Sequence, residues 1–390
     1  MSGLAGQAAI VGIGATDFSK DSGRSELKLA AQAVRAALDD AGLTPADVDG
    51  MVSFTQDNNT EAAVAREVGI PELTFFSRIH YGGGAACATV QQAAMAVATG
   101  VASVVVCYRA FNERSGHRFG QVATGLAGAP TSSGVDAGWS YPFGLATPAS
   151  WVAMYAQRYL HQSGATSEDL GRVAVTMRRH AATNPRAWFA GRPITLAEHQ
   201  ASRWICEPLH LLDCCQESDG GVAVVVTSLD RARDLAQRPV VVAAAAQGAG
   251  ADQFVMTSYY RDGLTGLQEM GVVSRQLWQQ AGLSTEDVDV AILYDHFTPF
   301  VLMQLEELGF CGRGEAAGFV AEGRLGLDGS LPTNPHGGQL GEAYIHGMNG
   351  INEAVRQVRG TAANQVPGAE RVLVTAGTGV PTSGLILTSD

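Results

Sequence analysis

Two stretches of this chain repeat one pattern of apolar and polar positions. "SELKLAAQAVRAALDD" spaces its apolar residues three and four apart, which predicts an amphipathic helix, and the apolar run "GMVSF" that follows predicts a buried strand. "AGLTPADVD", residues 41–49, joins them. Far along the chain "GVVSRQLWQQ" predicts another helix and "VAILYDHF" opens as another strand, with "AGLSTEDVD", residues 281–289, between them. Gly42 and Gly282 suit helix C-caps, and Thr44 and Ser284 can cap the turn that follows. A further pair shares the order glycine turn, helix, strand: "HYGGGAACATVQQAAMAVATGVASVVVCY", and "NPHGGQLGEAYIHGMNGINEAVRQVRG" continued by "RVLVTAG". The patterning predicts a duplicated α/β chain whose halves each set a Gly-Gly turn at the mouth of a buried helix, where backbone N–H groups face a ligand. The halves are expected at 1–235 and 236–390, with a linker at "RDLAQRP" and an excursion over about 112–216 inside the first. An insertion of this length, containing "GQVATGLAGAPTSSGVDAG", is expected to be a lid or binding subdomain.

Composition narrows the class. With 390 residues, 46% of them hydrophobic and 16% charged, the chain has ample core material, and its 47 glycines suit closely packed α/β layers. A net charge of -12 argues against nucleic acid as a partner. It leaves room for one anionic ligand met by a local cluster, for which "TMRRHAATNPRAW" offers Arg178, Arg179, His180 and Arg186; a solvated helix face is the favoured reading of that segment. No charged n-region precedes an apolar h-region, and the longest apolar run, "VASVVVCY", is far below the ~20 residues of a membrane helix. Six cysteines without C-x-x-C spacing, two of them adjacent at Cys214 and Cys215, make a disulfide framework or metal site improbable. A soluble, cytoplasmic protein that binds no metal of its own is expected.

"PLHLLDCCQESDGGVAVVVTS", "YDHFTPF" and "NPHGGQLGEAYIHG", together with the duplicated halves, resemble the thiolase superfamily over nearly the whole chain. The resemblance is to the sterol-carrier-type thiolases and, within them, to the lipid-transfer-protein-like branch. It implies a five-layered α-β-α-β-α core with a loop domain. The family's nucleophilic cysteine lies seventeen residues before the glycine that ends its helix; counting back from Gly100 reaches Gly83, so the nucleophile position is replaced. Cys87 then falls one helical turn further on, where core packing is the expected role. The family's second cysteine is also missing, since no cysteine follows Cys311. In "YDHF", Tyr294 takes the position of an oxyanion-binding Asn or His, and in "GEAYIHG", Tyr344 takes that of the histidine that orients the thioester carbonyl.

Without the two thiols, enolate chemistry remains available and acyl transfer does not. The matching reaction is retro-aldol cleavage of a β-hydroxyacyl-CoA, which needs a base, an acid and an oxyanion site. Tyr294 is assigned as base and Tyr344 as acid, with the reverse assignment open; His296, Asn334 and His346 are candidate supporting or oxyanion groups. An ordinary phenol titrates near ~10, so a basic tyrosinate needs help, or the proton moves in a concerted relay through His296 or water. The resemblance implies a steroid acyl-CoA as substrate, propionyl-CoA and a 17-ketosteroid as products, and CoA only as part of the substrate. It also implies a homodimer with an OB-fold and zinc-ribbon partner, which would carry any zinc and can be attached to a MaoC-like hydratase. Two other readings stand beside it: a noncatalytic acyl-CoA-binding scaffold, and an acyltransferase that uses Cys87.

Overall fold

The structure is a computed structural model that describes residues 4–116, 118, 138, 140–253, 256, 261 and 265–390. The repeated sequence folds into repeated structure. Helix α1, Glu26–Ala41, ends on Gly42 in the left-handed region (φ 70°), and the helix Gln268–Ala281 ends on Gly282 likewise (φ 65°). Each is followed by a single 3-10 turn. Asp47 accepts from the Thr44 backbone N–H (2.9 Å), and Asp287 accepts from the Ser284 backbone N–H (2.8 Å). A buried strand comes next in both cases, β2 (Gly50–Phe54) in the first half and β9 (Val290–Ile292) in the second.

Five further strands complete the first half and its sheet neighbours: β1 (Ala8–Ala15), β3 (Phe75–Ile79), β4 (Val104–Asn112), β7 (Asp219–Ser228) and, opening the second half, β8 (Val240–Gly248). β10 (Arg371–Thr375) and β11 (Thr382–Ser389) close the chain, and β5 (Trp204–Cys206) with β6 (Leu209–His210) make a small separate hairpin. The order β2-β4-β7-β1 in one half matches β9-β10-β11-β8 in the other, with β3 added as an outer strand, and a short β1–β8 pairing joins both into nine strands.

Helix α1 covers the outer face of the first half-sheet, and the helix Gln268–Ala281 covers the outer face of the second. Between them lie α3 (Ala86–Ala98) and the helix Met348–Arg359, both touching strands of the two half-sheets, which gives the five layers. Because β7 is buried on both faces it reads as one apolar run: Val222, Val224 and Val226 face the central helices, and Ala223 and Val225 face α1.

The excursion between β4 and β7 holds the helices Pro148–Ser163 and Ser167–Ala182, which pack on the second half; the Tyr159 hydroxyl donates to Glu306 (2.5 Å). Its glycine-rich stretch, 119–137, lies outside the described residues. The expected solvated face at 176–188 is corrected in part. Arg178 and His180 are buried, Arg178 lying over the Phe189 ring at 3.5 Å and His180 Nδ1 within 3.1 Å of the Thr333 carbonyl, while Arg179 and Arg186 remain exposed. Among the described residues no helix is long and apolar enough to cross a membrane.

Candidate active site

The glycine turn Gly82–Ala85 delivers the chain into α3, and the second half supplies what faces it. Beyond β9 the backbone of Tyr294 is fixed from both sides. Its N–H donates to Thr375 Oγ1 (2.9 Å), and its carbonyl accepts from Gln304 Nε2 (3.0 Å). The ring runs to the start of α3, so a Cβ added at Gly83 would lie 2.0 Å from the Tyr294 hydroxyl oxygen. The phenol fills the space that a side chain at position 83 would need. Tyr344 follows the second Gly-Gly turn, its N–H donating to Ser218 Oγ (3.2 Å), and the two hydroxyls meet at 3.3 Å with Tyr294 donating. Two tyrosines from sequence segments 50 residues apart thus form one hydroxyl pair.

Burial pushes both phenols above their ordinary range, Tyr344 well above it. His346, with φ 49°, receives a hydrogen bond on Nδ1 from Arg109 Nε (3.1 Å), which leaves its Nε2 to carry the proton. Burial and then the Arg109 charge hold this ring neutral. Arg109 is itself buried, paired with Asp57 at 3.0 Å and lying over Phe111 at 4.2 Å. His296 packs its ring edge-on to Tyr294 at 4.8 Å; burial lowers it to about 3, and its Nδ1 has no hydrogen-bond partner among the described residues.

Asn334 Nδ2 donates to the Leu293 carbonyl (2.8 Å) and its backbone N–H to Ala291 (2.9 Å), which ties its loop to the end of β9. Asp295 does similar work beside it, accepting from the N–H groups of Gln339 (2.7 Å) and Leu340 (3.3 Å) at the second Gly-Gly turn.

Cys87 is wholly buried in the central core, its Sγ directed at the Val374 carbonyl (3.7 Å), and burial pushes its thiol far up. It packs in one cluster with Ala86, Val90 and Val374, as a core residue. The thiol whose charge would be felt by both phenols is Cys215. Burial, then Glu113, raises it well above the ordinary range, the reverse of what a nucleophile needs.

Sequence reasoning passed over Cys215, and also Glu113, Lys20 and Gln339. Glu113 is 2% exposed, and Lys20 is lowered to about 8 by burial. Gln339 is buried with a side-chain amide that has no hydrogen-bond partner meeting strict geometry among the described residues, although it lies close enough to Tyr294 to favour the phenolate. Cys215 lies within "DCCQESDGG" and Gln339 beside the Gly-Gly turn, whereas no motif marked Glu113 or Lys20. Among the described residues no three His, Cys, Asp or Glu side chains group as a metal site.

Residues 8–230 match the family described as thiolase, N-terminal domain, and residues 232–388 match thiolase C-terminal domain-like. The chain is 71% identical over 384 residues to 17-hydroxy-3-oxo-4-pregnene-20-carboxyl-CoA lyase of Mycobacterium tuberculosis, covering 98% of this chain and 100% of that protein. It is 67% identical over 393 aligned positions to the steroid side-chain-cleaving aldolase of Thermomonospora curvata, covering 100% of both. A solved structure described as Ltp2-ChsH2(DUF35) aldolase superposes with a TM-score of 0.96 at 66% identity, over 99% of each chain.

Proposed function

The chain belongs to the thiolase superfamily through both of its halves, and from that premise we propose that it cleaves the side chain of a steroid β-hydroxyacyl-CoA by a retro-aldol reaction. It is an aldolase, a carbon–carbon lyase acting on a CoA thioester, like the relatives it matches from end to end. A substrate of the kind named for the mycobacterial relative carries its hydroxyl on C17 and its thioester on the side chain. Cleavage between them releases propionyl-CoA and leaves a 17-ketosteroid.

The observation that carries the reading is the hydroxyl pair at 3.3 Å, standing where a thiolase would hold its thiol. A free phenolate is costly in this buried site, so proton movement through the pair is concerted. The substrate hydroxyl gives its proton to the Tyr294 oxygen as Tyr294 passes its own to Tyr344. The C–O bond becomes a carbonyl, the bond between the α and β carbons breaks, and its electron pair becomes the enolate of the thioester. In the same movement Tyr344 gives its own proton to the α carbon. One proton leaves the substrate oxygen and one reaches carbon, so both phenols end as they began. The hydrogen bond that runs from Tyr294 to Tyr344 supports Tyr294 on the hydroxyl side and Tyr344 on the carbon side. The Gln339 amide, buried beside Tyr294, is a donor for the thioester oxygen, worth on the order of 2.7–4 kcal/mol for one well-placed group. Propionyl-CoA is a product, and the chemistry asks for no separate cofactor.

Tyr294→Phe and Tyr344→Phe test this directly. Each should lower turnover of a steroid β-hydroxyacyl-CoA by roughly 10²–10⁴-fold with little change in binding. Near-wild-type turnover in both would reduce the pair to packing and leave an acyl-CoA-binding scaffold. The likeness to a structure described as Ltp2-ChsH2(DUF35) aldolase supports a protein partner. We assign that partner the OB-fold and zinc-ribbon type implied by the resemblance, carrying any zinc and open to attachment to a MaoC-like hydratase.

A further inference from the structure

Alternate residues near the end of β4 project to one face, and on this strand that face runs along the site. Arg109 grips His346 at 3.1 Å, and Phe111 sets its ring 5.1 Å from His346 and 6.4 Å from Tyr344. Glu113 is the next residue in that row, just past the strand end, and its charge reaches both phenols. The Ser218 backbone lies beside the carboxyl and favours its charged form, and Ser218 Oγ takes the N–H of Tyr344 (3.2 Å), so Ser218 stands next to both. The carboxyl oxygen Oε2 is buried with no hydrogen-bond partner among the described residues. A purely structural carboxylate would be paired, because an unsatisfied buried charge is among the costliest features a fold can carry. Glu113 is in no ion pair among the described residues. The nearby cations are committed elsewhere: Arg109 to Asp57 and His346, and Lys20 to Gln216 Oε1 (2.9 Å) and the Glu217 carbonyl.

We propose that Glu113 holds the transferred proton between bond cleavage and enolate protonation, exchanging it through Tyr344. The proposal rests on the retro-aldol reading above and adds a resting place to its relay. The hydroxyl proton passes through Tyr294 and Tyr344 onto the Glu113 carboxylate as the carbon–carbon bond breaks. It returns from the carboxylic acid through Tyr344 to the α carbon, so one proton is moved and none is gained or lost. Cleavage and protonation need no longer coincide, and the ketone can move away before carbon is protonated. Burial and the charge of Glu217 raise the proton affinity of Glu113, while Arg109 and Lys20 oppose that rise. The other titratable groups facing it are Cys215, Tyr294 and Tyr344, with Arg114 beside Lys20. Glu113 acts through Tyr344 and so is a positioning residue.

The test is the pH dependence of kcat in the wild type, Glu113→Gln and Glu113→Asp, with KM and the thermal midpoint recorded for each. The carboxylate must be free to accept, so wild-type kcat should rise with pH through the Glu113 titration. Glu113→Gln should lose that limb and fall about 10²-fold in kcat at unchanged KM, and Glu113→Asp should keep a displaced limb. A wild-type profile without the limb overturns the proposal even if Glu113→Gln does not fold. So does a Gln variant that retains the wild-type profile. If the tyrosine variants lose turnover and Glu113→Gln does not, this inference alone fails; if the tyrosine variants remain active, the retro-aldol reading fails first.

Discussion

At the scale of one residue, position 83 shows how little room the site leaves. A methyl group there would lie 2.0 Å from the Tyr294 oxygen, so the ring has to shift to admit it. Gly83→Ala should therefore cut turnover by on the order of 10²-fold, since a 1 Å misplacement costs about that much, and overpacking should cost about 1–3 kcal/mol of stability. Steady-state kinetics with chemical denaturation checks both; wild-type kcat would mean that the Tyr294 hydroxyl is free to sit elsewhere. The two tyrosines were legible in the sequence because each falls at a fixed count from a glycine motif, and Gly83 was legible by the same count from Gly100. Glu113 and Cys215 were not. Their importance comes from what lies beside them in space, and no local spacing encodes the approach of β4 to a loop more than 180 residues later.

Among the elements, the helix-turn-strand units were readable because capping is local. A glycine in the left-handed region and a Thr or Ser with Asp three residues on are settled within one turn of chain. The segment 176–188 was misread for the opposite reason: whether an arginine on a helix is solvated depends on what the rest of the fold lays over it, here Phe189 for Arg178. Strand β4 depends on a similar nonlocal contact. Asp57 neutralises Arg109 at 3.0 Å, with both groups buried, and Arg109 in turn holds His346. Asp57→Ala would strand a buried guanidinium and should cost about 3–5 kcal/mol, measured as a shift in urea midpoint at pH 7. A change below about 1 kcal/mol would show that water reaches Arg109 and that β4 is not anchored through this pair.

For the molecule as a whole, the open question is what covers the edge of the nine-stranded sheet. Among the described residues β3 is its outer strand, bonded on one side only, and carries Phe76 at 67% exposure, with Met95 and Val101 exposed at the far end of α3, which packs against β3. Unprotected apolar edges invite pairing, and a second copy presenting the same edge is the symmetric solution. The chain is expected to sediment as a dimer at micromolar concentration, and Phe76→Lys should move it to the monomer; a wild-type monomer would overturn that assignment. The five layers, by contrast, were legible through the family resemblance, while the patterning itself gave the two matched α/β halves. One contact between those halves also bears on ancestry. Since Gly83 comes from one half and Tyr294 from the other, a cysteine restored at 83 alone collides with the phenol, and a small residue at 294 alone leaves a site with neither thiol nor phenol. On the proposed mechanism, single-step mutational paths between thiol and phenol chemistry would pass through an inactive intermediate in either order, which would make the exchange a ratchet: with the tyrosine in place, selection on activity would hold the glycine.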